Sequence, residues 1–205
     1  MIARLLLTGL LFLLASCETI ISPPPASQLY GLRPLPGQSG DNPNLPINLV
    51  ISRPSASPAL EREFITLHKA DNQFGYFARV RWTTSTPELV RFFIIDSLQN
   101  QGLFQSVTPD TRFGQNNYRL DIHIQEFQAN YTRDSETPEV HLKLAFTFTD
   151  MAGQKPLATF VESLRLPIAE NRLTLVVEGF QSGMEQITTQ TIRQIMAALK
   201  EIDPE

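Results

Sequence analysis

Val140, Leu142, Leu144, Phe146 and Phe148 alternate without a break against His141, Lys143, Ala145 and Thr147. A period of two over nine residues predicts a strand with one face in a core and the other outside it. Such a strand cannot stand alone, because its apolar face needs a second layer. Its neighbours supply the rest of a sheet. Upstream, Tyr118, Leu120, Ile122 and Ile124 alternate in one phase and Phe127, Ala129 and Tyr131 in the other, which predicts a long strand with a bulge near Gln125 and Glu126. Downstream, Ala152-Gly153-Gln154 turns the chain into a strand near Leu157 to Leu166. The three read as an antiparallel meander with one face left for helices to cover.

Two segments have helical spacing. Thr86 as a hydroxyl cap, Pro87 in the first helical position and Gly102 as the stop predict a helix over 87–101. Its apolar residues, Leu89, Val90, Phe92, Phe93, Ile94, Ile95 and Leu98, form a stripe wider than one face, so the helix is deeply packed or partly covered by another subunit. Leu173, Val177, Phe180, Met184, Ile187, Thr191, Ile195 and Leu199 recur every three or four residues, predicting a long amphipathic helix over 173–200 with Asn171 as cap. Gly179 and Gly183 lie inside it, each costing about 1 kcal/mol relative to alanine, which points to close backbone contact with the sheet. Earlier strands are expected at 47–52, 63–69 and 74–82, with a short edge strand at Leu29–Leu32 that Pro34 and Pro36 stop from continuing. The fold class is thus α/β in the α+β sense: one domain, residues 47–205, with an antiparallel sheet packed against two main helices.

Before that domain the composition changes. Pro23, Pro24, Pro25, Pro34, Pro36, Pro43 and Pro46, interspersed with Gly37, Ser39, Gly40, Asp41 and Asn42, read as an extended tether whose start is a polyproline II spacer. Before the tether, Leu5 to Leu14 form an apolar run after a single positive charge at Arg4. This is a signal-peptide layout, too short for a permanent span, which needs roughly 20 apolar residues. The run closes on Leu14-Ala15-Ser16-Cys17, which resembles a bacterial lipobox ending in the one cysteine of the chain. The resemblance implies removal of residues 1–16 and a thioether-linked diacylglyceryl group, together with an acyl chain such as palmitate, on Cys17. Two or three such chains anchor a protein firmly. Glu18 after the cysteine, where inner-membrane lipoproteins usually have Asp, favours the periplasmic face of the outer membrane. Residues 17–46 are then a lipidated cysteine and its tether.

Charge and motifs narrow the chemistry. With a formal charge of −4 over 205 residues there is no basic footprint for nucleic acid. No glycine-rich phosphate loop, GxSxG elbow or HExxH pair occurs, so any ATP hydrolysis belongs to another subunit. His123 and His141 could face each other on neighbouring strands near Asp121 as a metal or acid/base site, but alternation places them on the polar, solvated face of the sheet. Arg79, Arg81 and Trp82 are candidates for a partner-binding patch, since Trp and Arg are enriched at binding hot spots; the competing assignment for Trp82 is a core residue under the first helix. No catalytic residue, metal ligand or cofactor is assigned.

Several segments together resemble the ABC-type transport auxiliary lipoproteins: the lipobox and proline-rich spacer, Tyr30-Gly31-Leu32, the Leu60-Glu61-Arg62 segment where that family has Leu-Asp-Arg, and Arg81-Trp82 followed by Pro87 and by Phe104 to Val107. The resemblance implies an α/β fold, a non-enzymatic role in moving phospholipid or a similar apolar cargo across the envelope, and partners in an ATPase, a permease and a mammalian-cell-entry protein. Docking that assembly at the outer membrane is the leading expectation. A periplasmic lipid or solute carrier with its own pocket is the alternative, and a hydrolase built on His123, His141 and Asp121 ranks last. The wide apolar helix and the free sheet edges also make a homo-oligomer plausible.

Overall fold

The structure, a computed structural model, describes residues 26–37, 44–109 and 118–202. The meander forms as expected. Strands β7 (Tyr118–Tyr131), β8 (Glu139–Asp150) and β9 (Lys155–Pro167) pair antiparallel, with Ile122 opposite Phe146 and Leu144 opposite Glu162. The register slips between Ile124 and Glu126, leaving Gln125 as the extra residue of a bulge. That slip lets one strand bury both of its apolar phases: Leu120, Ile122 and Ile124 before it and Phe127 and Ala129 after it are all inside.

The far edge of β7 is covered by three segments in succession, all parallel to it: β2 (Leu45–Ile51), β3 (Ser55–Ala56) and β4 (Phe64–Lys69). From there the sheet forks. On one branch β2 carries β6 (Phe104–Thr108) in parallel. On the other, β4 carries β5 (Gln73–Trp82) antiparallel, and β5 carries β1 (Gln28–Tyr30) in parallel. The sheet is therefore mixed, antiparallel in the meander and the β4–β5 hairpin and parallel around β2. The edge strand expected at Leu29–Leu32 is β1, displaced by one or two residues.

Helix α1 (Thr86–Gln101) begins one residue before the expected start. Ser85 is the N-cap, its carbonyl accepting from the Leu89 amide, while the Thr86 hydroxyl donates to the Arg62 carbonyl. Gly102 ends the helix in the left-handed conformation (φ 62°), its amide turned back onto the Gln99 carbonyl. Of the wide apolar stripe, Leu89, Val90, Phe93, Ile94, Ile95 and Leu98 are buried and Phe92 is exposed. Helix α2 (Leu173–Ile202) starts from the Arg172 carbonyl, which accepts from the Leu175 and Val176 amides. Asn171, the expected cap, instead accepts a hydrogen bond from the Tyr131 hydroxyl. Val176, Phe180, Met184, Ile187 and Ile195 are sealed against β8 and β9.

The two glycines of α2 explain themselves here. A Cβ on Gly183 would lie 2.3 Å from Leu142 Cδ1, and one on Gly179 would lie 2.6 Å from Ile168 Cδ1 and 3.0 Å from Val140 Cγ2. Only a bare backbone lets the helix sit this low on the sheet.

Candidate functional site

Cys17 and the leader before it lie outside the described residues. Among the described residues, Ala26 to Gly37 of the segment read as tether lie against the body. Residues 28–30 pair with β5 as β1, and beyond them the backbone of Arg33, Leu35 and Pro36 is met by side chains. The Arg33 amide donates to Gln181 Oε1 and its carbonyl accepts from Gln181 Nε2, at 2.8 and 2.7 Å. The Leu35 amide donates to Ser97 Oγ, and the carbonyls of Leu35 and Pro36 accept from Asn100 and Gln101. Residues 31–37 thus form a strap across both helices, spliced onto the body by four polar side chains that carried no local signal.

The strap's Leu35 divides an open groove along α2. One side, about 540 Å³, is walled by Leu164, Ile187, Glu162, Glu185 and Arg193; the other, about 460 Å³, by Leu103, Ile192 and Met196. Glu162 projects from β9 into the first, and burial pushes its carboxyl above the usual range. Both grooves open to solvent and carry polar walls, which differs from an enclosed apolar pocket around a cargo.

Three of the segments that carry the family resemblance meet at one place, the junction of β5 and α1. Tyr30 pairs with Trp82 across the β1–β5 ladder, and its carbonyl accepts from the Thr83 amide. The Trp82 amide donates to the Glu63 carbonyl, and the Thr86 amide to the Arg62 carbonyl. Leu60 is buried and Glu61 receives Arg53 at 2.7 Å, while Arg53 also reaches Glu88 on α1 at 2.9 Å. The hydrogen bond that Arg53 donates to Glu61, with the charges of Glu61 and Glu88, holds the Arg53 guanidinium above its usual range.

The expected contact patch comes apart. Trp82 is only 1% exposed and packs edge-on against Phe180 of α2 at 5.3 Å and against Phe127 of β7 at 6.0 Å. It joins two elements of the core and offers no surface. Arg79 and Arg81 are exposed. Arg79 has a positive φ of 59°, inside a bulge where Phe77 to Val80 oppose Ile65 alone. Arg81 lies 4.9 Å over the Phe64 ring and 3.8 Å from Glu63.

The histidines are not brought together either. His123 is opposite Ala145, and His141 is opposite Gln128, roughly 15 Å further along the strand at the usual rise per residue. Each has its own partner: His123 Nδ1 meets Ser55 Oγ at 2.8 Å, and His141 lies between Glu139 (3.0 Å) and Glu126 (3.5 Å). Asp121 is taken by Arg119. His141 is buried, contrary to the solvated face expected for it, because Glu126, displaced by the bulge, closes over it together with Glu139 and Gln128. Among the described residues no group of three His, Cys, Asp or Glu side chains could hold a metal ion.

Comparison with known proteins adds to this geometry. No curated protein matches the chain. Protein XCC0632 from Xanthomonas campestris is similar in fold, with 14% identity, a TM-score of 0.75, and coverage of 87% of this chain and 100% of that one. The hypothetical protein CT253 from Chlamydia trachomatis is a more distant likeness, at 9% identity and a TM-score of 0.51, covering 75% of this chain and 99% of that one. At these identities the likeness concerns the fold alone. The model of the ABC-type transport auxiliary lipoprotein component family matches residues 30–191, from the tyrosine of β1 to well inside α2, and so takes in the whole β5–α1 junction. The chain belongs to the ABC-type transport auxiliary lipoprotein component family.

Proposed function

We propose that this protein is a non-enzymatic docking component, held by a lipid on Cys17 at the periplasmic face of the outer membrane. There it receives the ATPase, permease and mammalian-cell-entry protein of an envelope transport system that moves phospholipid or a similar apolar cargo. The observation that carries this reading is the family match over residues 30–191 behind a leader that ends in a lipobox-like cysteine. The surface of the body supports binding and positioning: an open, mixed-polarity groove, a strap fixed by amide side chains, and histidines each engaged in a local pair.

The test is affinity capture of the full-length lipoprotein from solubilised membranes of its host. Co-purification of a permease, an ATPase and a mammalian-cell-entry protein is expected. Capture of the lipoprotein at normal yield without any of the three, under conditions that preserve other envelope complexes, would refute the docking role. Phospholipid retained stoichiometrically by the isolated chain would favour the carrier reading instead.

A further inference from the structure

Large apolar side chains left in solvent among the described residues are Leu29, Phe74, Tyr76, Phe92 and Val161. Leu29, Phe74 and Tyr76 belong to one patch on the outer side of β1, β5 and β4. Leu29 is beside Arg81 in the ladder, Arg81 covers Phe64, Phe64 meets Tyr76 at 4.8 Å, and His68 meets Phe74 at 4.8 Å. Phe74 and Tyr76 are 57% and 40% exposed, close to the tip of the β4–β5 hairpin.

Two arginines stand beside this aromatic row: Arg79 and Arg81 are exposed, and Arg81 is shared with Glu63 at 3.8 Å. Arg79 is also held in a left-handed conformation that an arginine adopts at a cost of about 1 kcal/mol or more, and such strain persists where the surroundings enforce it.

The position of the tether says what faces this patch. Ala26 lies in a shallow depression with Gln28, Ala78, Arg79 and Val80, so the chain reaches the body beside Arg79. Residues 18–25 alone separate Cys17 from Ala26. Nine steps, at roughly 3.1 to 3.6 Å per residue for a polyproline or extended chain, span at most about 32 Å. Because the strap takes up residues 31–37, the body is leashed far more closely than a tether running to residue 46 would allow.

We infer that the Leu29–Phe64–Phe74–Tyr76 row, with Arg79 and Arg81, rests on the anionic surface of the bilayer that holds the lipid anchor. Aromatic and aliphatic tips enter the head-group layer and the basic rim meets lipid phosphates, each basic group attracting the surface over a Debye length. The opposite side of the molecule is thereby turned toward its partners. The inference rests on the anchor at Cys17.

Thioether formation consumes the one native cysteine, so an introduced thiol is unique in the lipidated protein. Phe74→Cys and, as a control on the exposed outer side of β9, Val161→Cys are labelled with an environment-sensitive fluorophore. Each full-length lipoprotein is reconstituted into phosphatidylethanolamine–phosphatidylglycerol vesicles containing a nitroxide lipid. Severalfold stronger quenching at position 74 than at 161, reduced by Arg79→Glu with Arg81→Glu, is expected. Equal or absent quenching at 74 with the protein still on the vesicles overturns the inference while leaving the anchor intact. Disulfide-linked pairs of Phe74→Cys in place of quenching also overturn it, assigning the patch to a second copy. Protein that does not stay on the vesicles at all removes the anchor and this inference with it.

Discussion

Replacing Gly183 with alanine sets two effects of opposite sign against each other. In an isolated helix the change is stabilising by about 1 kcal/mol, through helix propensity. In this protein the new methyl group would lie 2.3 Å from Leu142 Cδ1, 3.2 Å from Leu166 Cδ1 and 3.4 Å from Leu142 Cγ. Carbon atoms are at rest at 3.5–4.0 Å, so Leu142 or the helix must give by more than 1 Å. Leu142 is fully buried, in an interior packed closely enough that such a shift is felt. Overpacking of this kind costs about 1–3 kcal/mol, and a clash this close belongs at the upper end, leaving a net loss of about 2 kcal/mol. For a body of this size that is a fall of about 4–8 °C in melting temperature. Thermal unfolding of Gly183→Ala beside Ser182→Ala, an exposed neighbour, measures it. In a double-mutant cycle Leu142→Ala should restore part of the loss, because it removes the atom the methyl strikes. A Gly183→Ala protein as stable as the parent or more so, or a cycle with no coupling, would refute the close approach of α2 to β8.

Gln181→Ala removes both hydrogen bonds to Arg33, each with a net worth of about 0.5–1.5 kcal/mol, and should speed amide exchange in residues 31–37 while leaving β8 protected; unchanged exchange there would contradict the strap. Burial raises the folded-state pKa of Glu162, so its carboxyl favours the fold below the usual carboxylate range, and that advantage is lost as pH rises through the raised value. Glu162→Gln should therefore raise the melting temperature at neutral pH, with the gain vanishing in acid; an equal gain at both pH values would show that charge is not the cause. Trp82→Ala, which empties the contact with Phe127 and Phe180, should cost about 3–5 kcal/mol in denaturant unfolding. A cost under 1 kcal/mol would mean that the indole is not in the core.

What could be read from the sequence follows the range of the interactions. The alternation of Val140 to Phe148, the phase change at Gln125 and the Thr86–Gly102 limits of α1 are local consequences of which side a residue must face. They survived into the structure with shifts of a residue at most. The parallel pairings of β2, β3 and β4 along β7 join segments distant in sequence, and nothing in any one of them names its partner. The strap eluded composition for a related reason: proline-rich chain reads as unpacked, and its acceptors and donors are amide side chains on two helices far along the chain. Arg79, Arg81 and Trp82 group as one patch only by residue type, since Trp and Arg are enriched at binding hot spots, whereas strand alternation turns Trp82 inward and Arg81 outward. The bulge at Gln125 was legible, but its effect on His141, brought under Glu126, required the register.

Anchoring, docking role and membrane-facing patch all depend on the chemistry of one sulfur atom. Mass spectrometry of the amino-terminal peptide from protein purified out of its native membrane should find a chain that begins at Cys17 and carries a diacylglyceryl thioether with an amide-linked acyl group. A chain that still begins at Met1, or a Cys17 with a free thiol, would contradict it.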